Sequence, residues 1–283
     1  MRKILFYINT LERGGAERVL CNLANQFIKK GYITFFVTSY WTKDEYQLDE
    51  NVERYNLDEH NRENFLSKNV IRIKNLKKII KKVKPDVIIS FLPESIFRVI
   101  LVTMTMHIPI VISVRNDPQK EYACRSYKLL ARMLYMKADW IVFQTEEAKK
   151  WFSPKIQKKS SIILNQVDEK FFMSKKEDEE YYCALGRLVE QKNYPMMIKV
   201  FSKFVSKYPS EKLYIYGEGI LKKELQKLIK IQGMENNIFL KGLTSNPQDI
   251  LARAKGFIIT SDYEGMPNTL LEAMAVGIPV IAT

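Results

Sequence analysis

The sequence predicts an α/β protein built from two doubly wound parallel sheets. Three observations carry that prediction. Apolar runs of strand length recur along the whole chain without polar alternation, as strands buried on both faces require. Segments of helical period separate them. The series breaks once, at a charged stretch, and then resumes, and 283 residues suffice for two domains of roughly 150 residues each.

The first series opens with the strand-like KILFYI, the helical AERVLCNLANQFIKK and the strand-like ITFFVT. NLKKIIKKVKP puts Leu76, Ile79, Ile80 and Val83 on one helix face and Lys77, Lys78, Lys81 and Lys82 on the rest, and Pro85 stops it. DVIIS is the next strand. The longest uncharged run, Val99 to Val114, has 16 residues and contains Thr103, Thr105, His107 and Pro109. It is too short and too broken to cross about 30 Å of hydrocarbon, and reads as a helix end, a turn and the strand IVISV. KEYACRSYKLLARMLYMK is a basic amphipathic segment, followed by WIVFQT. The charged run FFMSKKEDEE, Phe171 to Glu180, marks a seam, so the expected domains are 1–174 and 175–283.

The second series runs YYCALG, KLYIYG, NIFLKG, GFIIT and IPVIA. Within it SNPQDILARA carries Asn246 as an N-cap and Pro247 at the first helical position. The chain stops immediately after the last strand pattern, where a doubly wound domain continues with a covering helix. The expectation is a second domain truncated at its C-terminus.

Composition narrows the function. The start MRKILFYINTL has a short apolar run, and Glu12 and Arg13 stand where a secretory leader needs small residues, so it reads as a first buried strand. Cys21, Cys124 and Cys183 are far apart and odd in number, which fits neither a disulfide framework nor a zinc site. Net charge is +13, with 30 Lys and Arg against 19 Asp and Glu up to Met173, and 15 against 13 after it. A basic first half implies an anionic partner. No recognition motif for nucleic acid accompanies that charge. Both the lysine-rich helix and the segment Lys120 to Lys137 fit a headgroup layer, and each also fits a solvated face over a core.

Ligands of open parallel sheets bind at the carboxyl ends of the strands, where helix N-termini present free N–H groups. Four segments qualify. In NTLERGGAERV, Gly14 and Gly15 expose backbone before a helix, which suits phosphate oxygens and equally a plain structural turn. In GRLVEQKN, Arg187 and Lys192 share one loop and can clamp a diphosphate, and spacing alone also fits two solvated cations. YGEG reads first as a tight turn, through Gly217 and Gly219. In SDYEGMPNTLLEA, Glu264 lies on a loop before a helix that starts near Pro267. Glu272 follows Asn268 by four residues and shares its face. Carboxylates accept hydrogen bonds from vicinal diols, so one acid can hold a sugar and the other a ribose. The early N–H groups, including those of Asn268 and Thr269, then face the phosphates between them.

GGAERV, GRLVEQKN and EGMPNTLLEA, in identity, order and spacing, resemble the retaining glycosyltransferases of family 4, of the bacterial surface-polysaccharide type. The last is that family's E-x7-E signature. The resemblance implies the GT-B fold, two Rossmann-like domains facing across a cleft, with the acceptor on the first and a nucleotide sugar, a UDP-sugar, on the second. It implies catalytic roles for Glu264, Arg187 and Lys192. It places the donor among Gly14, Gly15, Arg187, Lys192, Glu264, Gly265, Met266, Asn268, Thr269 and Glu272. It implies no metal cofactor, because protein cations neutralise the leaving diphosphate. The acceptor it implies is a lipid-linked or polysaccharide glycan, met in the cytoplasm with peripheral contact to the inner membrane face. One departure stands out. Many relatives carry a histidine where IVISV runs into Arg115, Asn116 and Asp117. Arg115 and Asn116 are candidates for an acceptor or phosphate contact, and a structural ion pair fits Arg115 equally. His60 and His107 read as surface or packing residues. The alternative is a non-catalytic GT-B subunit assisting a partner enzyme. A dehydrogenase is disfavoured, since no G-x-G-x-x-G follows either first strand.

Overall fold

The computed structural model describes residues 1–12, 14–43, 45–58, 65–174 and 180–283, the side chains of 65–67 excepted. His60 and the charged run 175–179 lie outside the described residues. The chain divides into two compact units, Met1–Asn165 and Gln166–Thr283.

The first unit runs β1 (Lys3–Ile8), α1 (Gly15–Lys29), β2 (Ile33–Thr38), β3 (Glu53–Asn56), α2 (Phe65–Val83), β4 (Val87–Phe91) and α3 (Pro93–Thr103). It continues β5 (Ile110–Ser113), α4 (Pro118–Glu121), α5 (Arg125–Tyr135), β6 (Trp140–Phe143), α6 (Glu146–Lys150), α7 (Pro154–Lys158) and β7 (Ser160–Ile162). The strands form one sheet in the order β3-β2-β1-β4-β5-β6-β7, and every pairing is parallel. β1 shows why unbroken apolar runs were needed. Its Leu5 and Tyr7 join the core that also takes Leu76, Ile80 and Val83 of α2. Its Ile4, Phe6 and Ile8 join the opposite core with Leu20, Cys21 and Ala24 of α1. Alternate side chains thus serve two faces, each covered by helices.

Three features differ from the sequence expectation. β3 and β7 are short edge strands whose polar composition hid them. The basic segment after β5 is not one helix: α4 ends at Glu121, and α5 starts afresh after Cys124. Asn246 stands at the predicted N-cap position, but its side chain makes no cap bond; its backbone N–H donates instead to Thr244 Oγ1 at 3.1 Å.

The second unit runs α8 (Glu169–Phe172), β8 (Tyr181–Leu185), a single 3₁₀ turn (Glu190–Lys192), α9 (Tyr194–Lys207), β9 (Leu213–Tyr216), α10 (Lys222–Ile231) and β10 (Ile238–Gly242). It closes with α11 (Pro247–Ala252), β11 (Ala254–Ile259), α12 (Asn268–Val276) and β12 (Val280–Ala282). Its sheet order is β10-β9-β8-β11-β12, again parallel throughout. The units part at Asn165, not at Ser174 as the charged run suggested. The reason is Phe171 of α8, which is 1% exposed and buried among Tyr181, Cys183, Phe257 and Ala273 of the second unit. In each sheet the chain reverses its direction of growth once, between β1 and β4 and between β8 and β11. Those reversals open a crevice at the carboxyl ends of the paired strands.

Candidate functional site

Three loops meet at the crevice of the second unit. The loop after β8, residues 186–193, meets the loop after β9, because two glycines let their backbones touch. The Gly186 N–H donates to the Tyr216 carbonyl at 3.0 Å, and the Leu188 N–H to the Glu218 carbonyl at 2.8 Å. Gly217 holds φ +151, and a Cβ there would overlap the Gly186 carbonyl oxygen; a Cβ on Gly219 would overlap that of Leu188. YGEG is therefore a tight turn against the β8 loop.

The loop after β11 is stitched to the same β8 loop more densely. The Asp262 N–H donates to the Gln191 carbonyl at 2.9 Å, and Gln191 Nε2 returns a bond to the Tyr263 carbonyl at 2.9 Å. Asn193 Nδ2 donates to Asp262 Oδ1 at 2.7 Å, and Thr260 Oγ1 donates to the carbonyls of Lys192 and Asn193, each at 3.1 Å. Asn193 is left-handed, φ 45, and caps α9 through its side chain. Inside this frame Lys192 Nζ and the Glu264 carboxylate form an ion pair. A lysine ammonium has three donors, and a carboxylate about four acceptor positions, so the pair keeps capacity on both sides for a ligand. Tyr194, below it, donates to the Gly186 carbonyl at 3.1 Å, and burial, with the Glu264 charge adding, holds its hydroxyl well above the usual range.

Arg187 projects from the same loop, exposed and without an ion-pair partner among the described residues. Gly265, Met266, Asn268 and Thr269 line the loop and first turn of α12, half-buried. Glu272 lies one turn further in and is 4% exposed. Lys192 and Glu264, which are 72 residues apart, are thus in contact, with Arg187 on the loop of the first and Glu272 on the helix that follows the second.

The other predicted residues belong to the first unit. Gly14 caps α1, and the Glu17 carboxylate folds back over it, at the helix N-terminus where a phosphate was expected. Arg115 is held by Asn165, whose Oδ1 accepts from Nη2 at 2.6 Å, and it lies over the Phe91 ring at 4.9 Å. Burial lowers its pKa to about 10, partly offset by Glu17, and leaves it cationic at neutral pH. Asn116 follows it, half-buried. Sequence reasoning missed a buried network at this crevice. Arg98 of α3 donates through Nη1 to Tyr7 Oη at 2.8 Å, Asn9 Oδ1 at 2.6 Å and Ser39 Oγ at 3.3 Å. The signal was available: a lone arginine inside the apolar run SIFRVILV.

The comparisons with known proteins fit this geometry. The model described as Glycosyl transferases group 1 matches residues 166–283, and the model described as Glycosyltransferase Family 4 matches residues 13–171. The chain belongs to the family 4-like glycosyltransferases. One relative, an uncharacterised glycosyltransferase of Methanocaldococcus jannaschii, is 34% identical over 232 residues, covering 73% of this chain and 57% of the relative. The chain therefore spans little more than half of that relative's length. A Campylobacter jejuni α-1,4-N-acetyl-D-galactosaminyltransferase, named for an undecaprenol-diphosphate-linked glycan, is 28% identical over 281 residues, 97% of this chain and 77% of the relative. Among solved structures, Anabaena HepE in complex with UDP and glucose matches with a TM-score of 0.83 and 16% identity, over 100% of this chain and 80% of that one. Staphylococcus aureus TarM, solved with UDP, gives 0.80 and 16%, over 100% and 85%. These likenesses show the two-domain GT-B fold.

Proposed function

We propose that this glycosyltransferase moves a sugar, with retention, from a UDP-sugar to a lipid-linked or polysaccharide acceptor in surface glycan synthesis. The observation that carries the reading is the Lys192–Glu264 ion pair, which couples the β8 and β11 loops at the sheet's carboxyl edge. In this reading the free donors of Lys192, with the exposed Arg187, take the diphosphate and neutralise its charge as it leaves. Glu264 accepts from the donor sugar's hydroxyls and positions its anomeric carbon. Glu272 accepts from the ribose, and the N–H groups of Asn268 and Thr269 face the phosphates from the α12 N-terminus. Gly265 and Met266 shape the loop between them. Two protein cations at the diphosphate do the work a divalent ion does elsewhere, so transfer proceeds without one. In the same reading Gly14 and Gly15 belong to the donor-binding set, and Arg115 and Asn116 contact the acceptor or a phosphate. The support for a UDP donor is the pair of UDP-bound structural neighbours, and for a lipid-linked acceptor the Campylobacter relative's name.

Lys192→Ala and Glu264→Ala are each expected to lower kcat by about 10²–10³-fold with unchanged folding, since each removes one charged contact to the transition state. Transfer by the full protein from radiolabelled UDP-sugars to lipid extracts measures this. Near-normal turnover in both variants overturns the roles, and complete loss in EDTA overturns metal independence. A wild-type protein that binds UDP but never transfers points to the non-catalytic subunit instead.

No described helix is long and apolar enough to cross a membrane. We assign the acceptor-side membrane contact, at a cytoplasmic membrane face, to α5. Its Ala131, Leu134 and Tyr135 are buried, while Leu129, Leu130, Met133 and the following Met136 are 41–61% exposed on the opposite side. Arg125, Lys128, Arg132 and Lys137 flank that stripe, as in a helix lying among anionic headgroups.

A further inference from the structure

We propose that Tyr40 and Trp41, at the carboxyl end of β2, form a stacking platform for an uncharged pyranose ring of the acceptor. The proposal rests on the reading that the first unit takes the glycan acceptor. The two residues are 40% and 58% exposed, large aromatics left in water at adjacent positions. They sit where ligands of such sheets bind, because the N–H groups of Ser39 and Tyr40 both donate to the Asn9 carbonyl, at 2.8 and 3.3 Å, just past the end of β1.

Each ring is supported from one side. The Arg54 guanidinium lies 3.7 Å from the Trp41 ring centroid, and that of Arg72 lies 5.3 Å from the Tyr40 centroid. The arginines are themselves fixed. Arg54 is 2.6 Å from the Glu45 carboxylate, and Arg72 grips Asp58 with two bonds of 2.9 and 2.8 Å. A ring supported on one face and open on the other is a surface for the C–H face of a sugar. Burying that face against it recovers apolar area from water, while the sugar's hydroxyls point to acceptors at the edge. Glu94 supplies such an acceptor. Its side chain is 61% exposed, it accepts from Asn9 Nδ2 at 2.9 Å, and its charge reaches the Tyr40 hydroxyl, as do those of Arg72, Glu12 and Arg98. Beneath lies the buried Arg98 network, which ties Ser39 and Asn9 to α3 and keeps the loop ordered before any ligand arrives. That lowers the ordering cost of binding.

Charge decides the ligand class. The three arginines around the platform are each paired with a carboxylate: Arg54 with Glu45, Arg72 with Asp58 and Arg98 with Glu94. These three pairs are neutral overall and the charge of Glu12 is left over, so the groups named here present no net positive charge to a phosphate. The platform suits the neutral sugar of an acceptor rather than its diphosphate.

These 283 residues hold three tryptophans, Trp41, Trp140 and Trp151, each of which gives a fluorine resonance on 5-fluorotryptophan labelling, and Trp41→Phe assigns the first. Titration with methyl N-acetyl-α-D-galactosaminide is expected to move the Trp41 resonance alone, saturably and in the millimolar range usual for a single sugar ring. Inorganic phosphate should leave it still. Tyr40→Ala is expected to weaken the sugar response about tenfold while the Trp140 and Trp151 resonances stay native. A Trp41 resonance that ignores the sugar, or that moves as much with phosphate, overturns the platform. Thermal shift with UDP on the same samples reports the second unit separately: a UDP response with a still Trp41 sinks the platform and leaves the donor reading standing.

Discussion

Glu121, the last residue of α4, carries a carboxyl that burial pushes from the usual 4.5 up to about 7, with Asp117 adding and a bond from Tyr122 opposing. The folded chain therefore holds a proton there that the unfolded chain releases, between about pH 4.5 and 7. Stability from this group is fully present below that window and is lost as pH rises through it. Glu121→Gln removes the titration. It is expected to raise Tm relative to the parent at pH 8 and to leave it unchanged near pH 4, and parallel melting curves at both pH values test this. A variant that gains equally at both would show that the carboxyl's ionisation is not what costs stability. Lys192 and Glu264 raise a question of recognition at the same scale. Their partners in sequence were recognisable, but the contact was not, because 72 residues separate them and only the sheet brings their loops together.

The β9–α10 turn shows what an element demands of a residue. Gly217→Ala would strain a φ of +151 and drive a methyl group into the Gly186 carbonyl, at a cost of about 3 kcal/mol. It should lower the denaturation midpoint, and because the β8 loop must shift, weaken UDP binding as well. A normal midpoint by urea titration would remove the close approach as the reason for glycine. α5 carries the membrane assignment. Replacing Leu129 and Met133 by Glu puts two anions among headgroups, so sedimentation with phosphatidylglycerol vesicles is expected to fall at least tenfold with no change in Tm. Equal binding by the double variant, or equal binding of the parent to phosphatidylcholine, would exclude this face. The amphipathic character of α5 was legible in sequence, whereas its exposed apolar stripe was not. Periodicity says that a face is apolar, not which of two faces finds a core.

At the scale of the molecule, each unit buries its own core, and the division falls at Asn165 because Phe171 belongs to the second. A fragment of residues 166–283 is expected to be more stable than one of 175–283 by about 3–5 kcal/mol, the cost of removing a buried phenylalanine. Urea unfolding of both fragments decides it, and equal stability would make α8 a mere linker. The sequence by itself determined the repeated α/β pattern, the inner strands as segments of the chain and the three glycosyltransferase motifs. Those depend on local rules: unbroken apolarity for strands buried on both faces, helical period for their covers, and residue types that suit phosphates and diols. The tertiary structure alone decided the domain seam, the edge strands of the first sheet, the Arg98 network and the stacking of Tyr40 and Trp41 on arginines. Each joins segments far apart in the chain, and no local pattern records which distant partner a side chain will meet once the sheet has closed.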